Sequence, residues 1–244
     1  KCALKRFIYM TNWRRHQPRD SPAGSRRRHE GYVARGLIRY DKILVIKLGA
    51  FGDFVQSLAA CRMIRDYHDG AKITLLTTPP FRELAKVCPY FDFVWDDGRP
   101  ATFGGRWAVA QKIRKAKFDR IYDLQTSKRT NQYFQMMGAF RPQWSGIARG
   151  CSHPHKNKKR DQMHTVDRQA EQLAMAGVGL GRGRVGGTAP PPDLSWALEV
   201  QRGAARTELT WFGVRKPYAL LVPGGAPHRP EKRWPAEHYG QLAM

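Results

Sequence analysis

Between Asp41 and Ala176 the chain alternates short, β-branched apolar runs with longer stretches of helical periodicity, and that alternation limits the fold more than any other feature. Lys42–Leu48 is a continuous apolar run flanked by lysines, the pattern of a strand buried on both faces. Gly49-Ala-Phe-Gly52 makes a turn. Apolar residues then recur at helical spacing from Phe54 to Tyr67, and Asp69-Gly70 closes that helix. The alternation continues with strands at Lys72–Thr78, Phe91–Trp95, Asp119–Leu124 and Gln143–Ala148. Helices are expected at Phe81–Val87, Arg106–Lys117, Lys128–Met137 and Thr165–Ala176. In the basic Arg106–Lys117 helix, Trp107, Val109 and Ile113 are the expected buried face. Strands alternating with helices predict an α/β fold, a parallel sheet covered on both faces. Ligands of such sheets bind beyond the carboxyl ends of the strands, near a topological switch point.

Charge limits the partners. Of the 244 residues, 43 are Lys or Arg and 20 are Asp or Glu, a formal net charge of +23. That excess favours anionic partners and says nothing about fold. Eleven of the basic residues fall in residues 1–40, against Asp20 and Glu30. This segment mixes Arg, Ser, Pro and Gly without periodicity and reads as a disordered basic tail, with a nucleic-acid-binding arm as the other reading. A hydrophobic content of 41% supports a packed core. Four cysteines form neither a disulfide framework nor a CxxC pair. No apolar run approaches a membrane span.

Beyond the alternating region the signals change. Gly150–Gln162 is polar and basic, too irregular for an element, and reads as a loop. Cys151, His153 and His155 within it, with His164 just beyond, match no zinc spacing, so no metal is expected. Lys156, Lys158 and Lys159 make it a candidate anion-binding loop, or equally a solvated one. Gly177–Pro192 is rich in Gly and Pro, as a linker would be. Residues 194–209 could be helical, Pro217–Val222 restarts the strand pattern, and Trp234-Pro235 opens a further helix.

Two segments together carry a family resemblance. Ile43-Leu-Val-Ile-Lys-Leu-Gly-Ala-Phe-Gly-Asp53 and Leu221-Val-Pro-Gly-Gly225, continuing to Lys232-Arg-Trp-Pro235, resemble the two signatures of the ADP-heptose:lipopolysaccharide heptosyltransferases, glycosyltransferase family nine. The resemblance covers about Asp41 to Met244. It implies the GT-B architecture: a Rossmann-like N-terminal acceptor-binding domain over residues 41–178, a linker and connecting helix over 179–216, and the start of a second Rossmann-like, nucleotide-sugar-binding domain over 217–244. Most of that second domain is then missing, so the 244 residues read as a fragment, inactive alone.

The resemblance also implies an activity: inverting transfer of a heptose or related sugar from an ADP-sugar to a lipopolysaccharide core acceptor, without a cofactor. Asp53 would be the catalytic base, although an Asp after Gly at a helix start is also a common N-cap. Gly49 and Gly52 would let the acceptor approach the backbone, and Lys156, Lys158 and Lys159 would meet its anionic groups. Lys232 would contact the donor diphosphate. The implied location is cytoplasmic, with peripheral contact to an anionic inner membrane through the Arg106–Lys117 helix left open. The alternatives are a dinucleotide-binding oxidoreductase, against which Gly49-x-x-Gly52 lacks the G-x-G-x-x-G spacing, and a basic nucleic-acid-binding protein, for which no motif is present.

Overall fold

Six parallel strands form one sheet in the order β3-β2-β1-β4-β5-β6. The structure is a computed structural model and describes residues 40–139, 141–179, 190–198, 209–221 and 230–244, without the side chains of Leu209 and Lys232. The strands are β1 (Lys42–Ile46), β2 (Lys72–Thr77), β3 (Phe93–Asp96), β4 (Arg120–Asp123), β5 (Gln143–Gly146) and β6 (His153–Pro154). The helices are α1 (Phe51–Tyr67), α2 (Arg82–Lys86), α3 (Phe103–Lys115), α4 (Lys128–Met136), α5 (Thr165–Met175) and α6 (Ala236–Ala243).

Alternation along the strands sorts the core into two layers, because successive side chains point to opposite faces. Ile43, Val45, Ile73, Leu75 and Tyr122 face α1 and α5, where they meet Phe54, Leu58, Ile64 and Leu173. Leu44, Ile46, Leu76, Ile121 and Trp144 face α3 and α4, where they meet Ala110, Ile113, Tyr133 and Phe134. Both layers are closed, which is why β1 reads as an unbroken apolar run and β2 as an apolar run broken only by the buried Thr74. Trp196, in a helical stretch at residues 195–198, packs into the first layer and donates its indole N–H to Asp193 O at 2.9 Å.

Four details differ from the sequence reading. Gly150–Gln162 holds a sixth strand, β6, whose two residues are too few for periodicity to mark. Helix α3 starts at Phe103 because the Thr102 hydroxyl caps the Gly105 N–H. Its buried stripe is Ala110 and Ile113, with Arg106 and Val109 half-buried, and Trp107 lies 52% exposed at the edge of that stripe. Residues 217–221 form no strand: they pair with none among the described residues, and Leu220 is 80% exposed. A β segment without a partner has no ladder for its N–H and C=O groups. The expected linker falls largely on residues 180–189, outside the described residues, as do residues 199–208 of the expected 194–209 helix and all of the tail before Tyr40. No described helix is long and apolar enough to cross a membrane.

The amino-terminal edge of the sheet is locked by polar networks. Arg120 is buried and donates to Gln143 Oε1 (2.6 Å), Tyr40 OH (2.7 Å) and Ala176 O (2.9 Å). His68 meets Tyr122 OH at 2.7 Å. Burial, with Arg120 and Arg65 nearby, pushes the His68 pKa down to about 4. A histidine whose folded pKa lies below its unfolded value of about 6.5 supports the fold fully above that pH and loses the contribution as pH falls toward 4. Asp123, pushed up to about 6 by burial, acts with the opposite sign: its contribution is full below about 3.9 and lost as pH rises through 6. The His68→Gln variant is therefore expected to lose less stability than the wild type between pH 6.5 and 4 in urea titrations. Equal losses would mean that His68 does not titrate with unfolding.

Candidate active site

The strand order reverses between β1 and β4, since the chain leaves β1 toward α1 on one face and leaves β4 toward α4 on the other. The loops after these two strands diverge at the carboxyl edge and open the crevice where ligands of such sheets sit. The β1–α1 turn is held there by its neighbours. Leu48 N–H donates to Gln125 Oε1 at 2.9 Å, and Thr78 Oγ1 donates to Leu48 O at 2.8 Å. Gln125 N–H donates to Ile46 O at 3.1 Å, so this one residue after β4 grips the end of β1 twice.

Gly49 follows at φ +137°, with the position its Cβ would occupy 2.9 Å from Cε2 of Phe81. Phe81 is buried and stacked on Phe54, so it cannot yield easily. Gly49→Ala combines a disfavoured φ with that clash and is expected to cost about 1–3 kcal/mol. Chemical denaturation would check this, and a neutral result would contradict the turn geometry. Gly52 differs, for a Cβ there would meet nothing within 4 Å.

Helix α1 begins without a side-chain cap, its N-cap being Ala50. Asp53 is the third residue of the helix, not its N-cap, and is exposed on its first turn, beyond the carboxyl end of β1. A carboxylate in the first turn is favoured by the helix dipole. Beneath it lies Lys47, 4% exposed, on the same side of the sheet as Ile43 and Val45. Burial lowers the Lys47 pKa, and among the charges opposing that shift Asp53 acts most strongly.

Across the crevice, Asp123 ends β4 with its side chain fully buried. Its Oδ1 accepts the N–H groups of Gln125 (3.1 Å) and Thr126 (2.9 Å), and its Oδ2 has no hydrogen-bond partner. Thr126 sits at φ +46°, rare for a β-branched residue, and its hydroxyl accepts from Arg160 Nη2 at 2.9 Å. Such strain gathers at functional sites.

The basic loop is pinned at alternate points. His155 is buried, with Arg160 Nε donating to its Nδ1 at 3.4 Å, and Asn157 donates to both Glu171 oxygens at 2.9 and 3.0 Å. Burial first, then Arg160, pushes the His155 pKa down, so the ring is neutral at neutral pH. Cys151 is buried, its thiol directed at Gly146 O. Lys156, Lys158 and Lys159 are left exposed. Periodicity did not separate these three from Arg160, which turns inward. Lys47 and Asp123 went unremarked as site residues because each reads as a charge ending an apolar strand. Lys232 ends a short 3-10 turn, Pro230–Lys232, and its side chain lies outside the described residues.

The family model for glycosyltransferase family 9 (heptosyltransferase) matches residues 106–244. A curated protein of Haemophilus influenzae, named as a glycosyltransferase, is 32% identical over 79 residues, 32% of this chain and 23% of that protein. Among solved structures, ADP-heptose lps heptosyltransferase II of E. coli is similar with a TM-score of 0.59 at 22% identity, over 83% of this chain and 60% of that one. A family 9 glycosyl transferase of Veillonella parvula gives 0.57 at 22% identity, over 84% and 58%. E. coli heptosyltransferase WaaC gives 0.53 at 18% identity, over 82% and 64%. The sheet and its helices thus share the GT-B fold of these proteins, and the chain spans less than two thirds of the length of each.

Proposed function

The chain belongs to glycosyltransferase family 9, and from that premise we propose that it supplies the acceptor-binding half of an inverting enzyme that moves a heptose or related sugar from an ADP-sugar to a lipopolysaccharide core. The observation that carries the reading is Asp53: an exposed carboxylate at the mouth of the sheet's switch point, on an uncapped helix start, above a buried lysine. Inversion needs a base on the acceptor hydroxyl, opposite the departing diphosphate. Asp53 takes that proton as the hydroxyl oxygen attacks the anomeric carbon. Gly52 leaves the backbone open to the acceptor beside it, and Gly49, packed against Phe81, holds the turn that presents it.

Lipopolysaccharide cores carry carboxylates and phosphates, and Lys156, Lys158 and Lys159 offer exposed cations to them. Lys232 is assigned to the donor diphosphate, where a cation gains most as charge develops on the leaving group. The basic Arg106–Lys117 segment, with Trp107 exposed on it, is the surface through which an anionic membrane would be met. No observation favours the oxidoreductase or nucleic-acid readings.

Incubating the full-length protein with an ADP-sugar and an acidic lipopolysaccharide core tests the reading. ADP release that depends on the acceptor and yields a glycosylated core supports it; acceptor-independent release, or none with any ADP-sugar, contradicts it. In the same assay, replacing Lys156, Lys158 and Lys159 together by Ser is expected to raise the acceptor KM by about tenfold or more, each lost charge-assisted contact being worth a fraction of a decade to a decade. Donor affinity should not change. A fall in donor affinity with unchanged acceptor kinetics would remove the loop from the acceptor site.

A further inference from the structure

We infer that Arg160 is a positioning residue: through Thr126 it ties the loop carrying Lys156, Lys158 and Lys159 to the β1–α1 turn, so that an acceptor held by the loop is set against Asp53. The inference rests on the readings of that loop and of Asp53 given above.

Strand β6 runs parallel to β5, so the chain after it emerges at the same carboxyl edge as the turns after β1 and β4. It emerges at a distance from the β1–α1 turn, because β6 lies three strand spacings from β1, about 14 Å across the sheet. Two contacts hold the loop to its own side. His155 N–H donates to Gly146 O at the end of β5 at 2.8 Å, and Asn157 is held by Glu171 of α5. Arg160 reaches the other way, over the end of β5, where its Nη2 donates to Thr126 Oγ1 at 2.9 Å. Its side chain is 12% exposed, and its other two nitrogens are engaged as well, Nε by His155 Nδ1 and Nη1 by Asp161 Oδ1. A planar fork with each nitrogen engaged is a spacer of fixed geometry, which a flexible lysine would not be.

The residue that Arg160 holds is strained. Thr126 sits at φ +46°, a conformation that a β-branched residue keeps only where its surroundings impose it. Its N–H and that of Gln125 share Asp123 Oδ1, at 2.9 and 3.1 Å. Gln125 in turn accepts the Leu48 N–H at 2.9 Å and donates to Ile46 O at 3.1 Å. Leu48 leads into Gly49 and then α1, whose third residue is Asp53. Every link from Arg160 to Leu48 is thus a hydrogen bond or a peptide bond.

The test is a mutant cycle in the full-length protein, assayed with an ADP-sugar and a lipopolysaccharide core. Arg160→Met is expected to lower kcat/KM for the acceptor by about tenfold to a hundredfold, the scale of a small misplacement of reacting groups, and to leave the donor KM unchanged. Thr126→Val should cost nearly as much, and Thr126→Ser, which keeps the hydroxyl, should recover most of the loss. The double variant Arg160→Met, Thr126→Val should lose no more than the worse single variant, because both remove one contact. Independently of turnover, hydrogen exchange at the Leu48 amide should quicken in Arg160→Met. Should Arg160→Met fail to fold, Arg160→Lys, which keeps the charge without the fork, serves the same comparison. A silent Thr126→Val, or losses that multiply in the double variant, would mean that Arg160 meets the acceptor directly and would overturn the inference. Wild-type kinetics in folded Arg160→Met would overturn it too. A wild type that transfers no sugar overturns the reading of Asp53; in that protein a Leu48 amide that still responds to Arg160→Met upholds the tie between loop and turn, and an unresponsive one removes it.

Discussion

Asp53→Asn in the full-length protein is expected to lower turnover by about a hundredfold or more, the usual range for removing a general base. Donor binding should remain, because the residue sits on the acceptor side of the proposed reaction. Stability should barely change. Asp53 is the third residue of α1 and not its cap, so it forgoes a capping contribution and keeps only its interaction with the helix dipole, about 0.3–1 kcal/mol. The two roles are thus separable by magnitude: a rate loss worth about 2.7 kcal/mol or more against a stability loss below one. Steady-state kinetics together with urea unfolding on the same preparation would decide. Wild-type turnover would remove Asp53 as the base, and a large stability loss with normal kinetics would make it a structural residue.

Trp144→Ala is expected to produce the largest loss of stability, about 3–5 kcal/mol. Trp144 is 0% exposed, packs against Phe134 with ring centroids 5.2 Å apart, and anchors the layer between the sheet and α4. Its backbone N–H also donates to Ser152 Oγ at 2.7 Å, which ties β5 to the segment leading into β6. A loss of that size is a large share of a typical domain stability of about 5–15 kcal/mol. The urea midpoint should fall sharply with little change in slope. A shift equivalent to less than about 1 kcal/mol would mean that the pocket collapses around the alanine or that the layer is looser than its burial suggests.

Much of the scaffold was legible in the sequence, and the reason is burial on both faces. β1 and β2 lie in the interior of a sheet covered by helices on each side, so their residues are almost all apolar, with Thr74 the one polar residue inside β2. The turn at Gly49 was legible because only glycine suits a positive φ against Phe81. β6 was not, since its two residues are defined by pairing with β5 and not by any pattern of their own. The strand expected at Pro217–Val222 shows the same dependence in reverse: apolar residues in a row propose a strand, but a partner makes one.

The site was legible only where a motif marked it. Asp53 stood out beside two glycines, whereas Lys47 was hidden within an apolar strand and Asp123 at the end of another. Their meaning comes from register: Asp123 lies opposite Ile46, which places it one residue from Lys47 across the β1–β4 pair. Likewise, the five cations from Lys156 to Arg160 and Arg168 look equivalent in composition. Packing turns Arg160 toward Thr126 and leaves Lys156, Lys158 and Lys159 facing water.

The most direct test of the central claim is the anomeric configuration of the product. With the full-length protein, an ADP-sugar of known configuration and a lipopolysaccharide core acceptor, proton NMR of the new glycosidic bond reports which face was attacked. A single base at the Asp53 position, acting opposite the leaving diphosphate, requires a product of inverted configuration. A product of retained configuration would mean a second displacement or front-face attack, and Asp53 could not then have the role assigned to it.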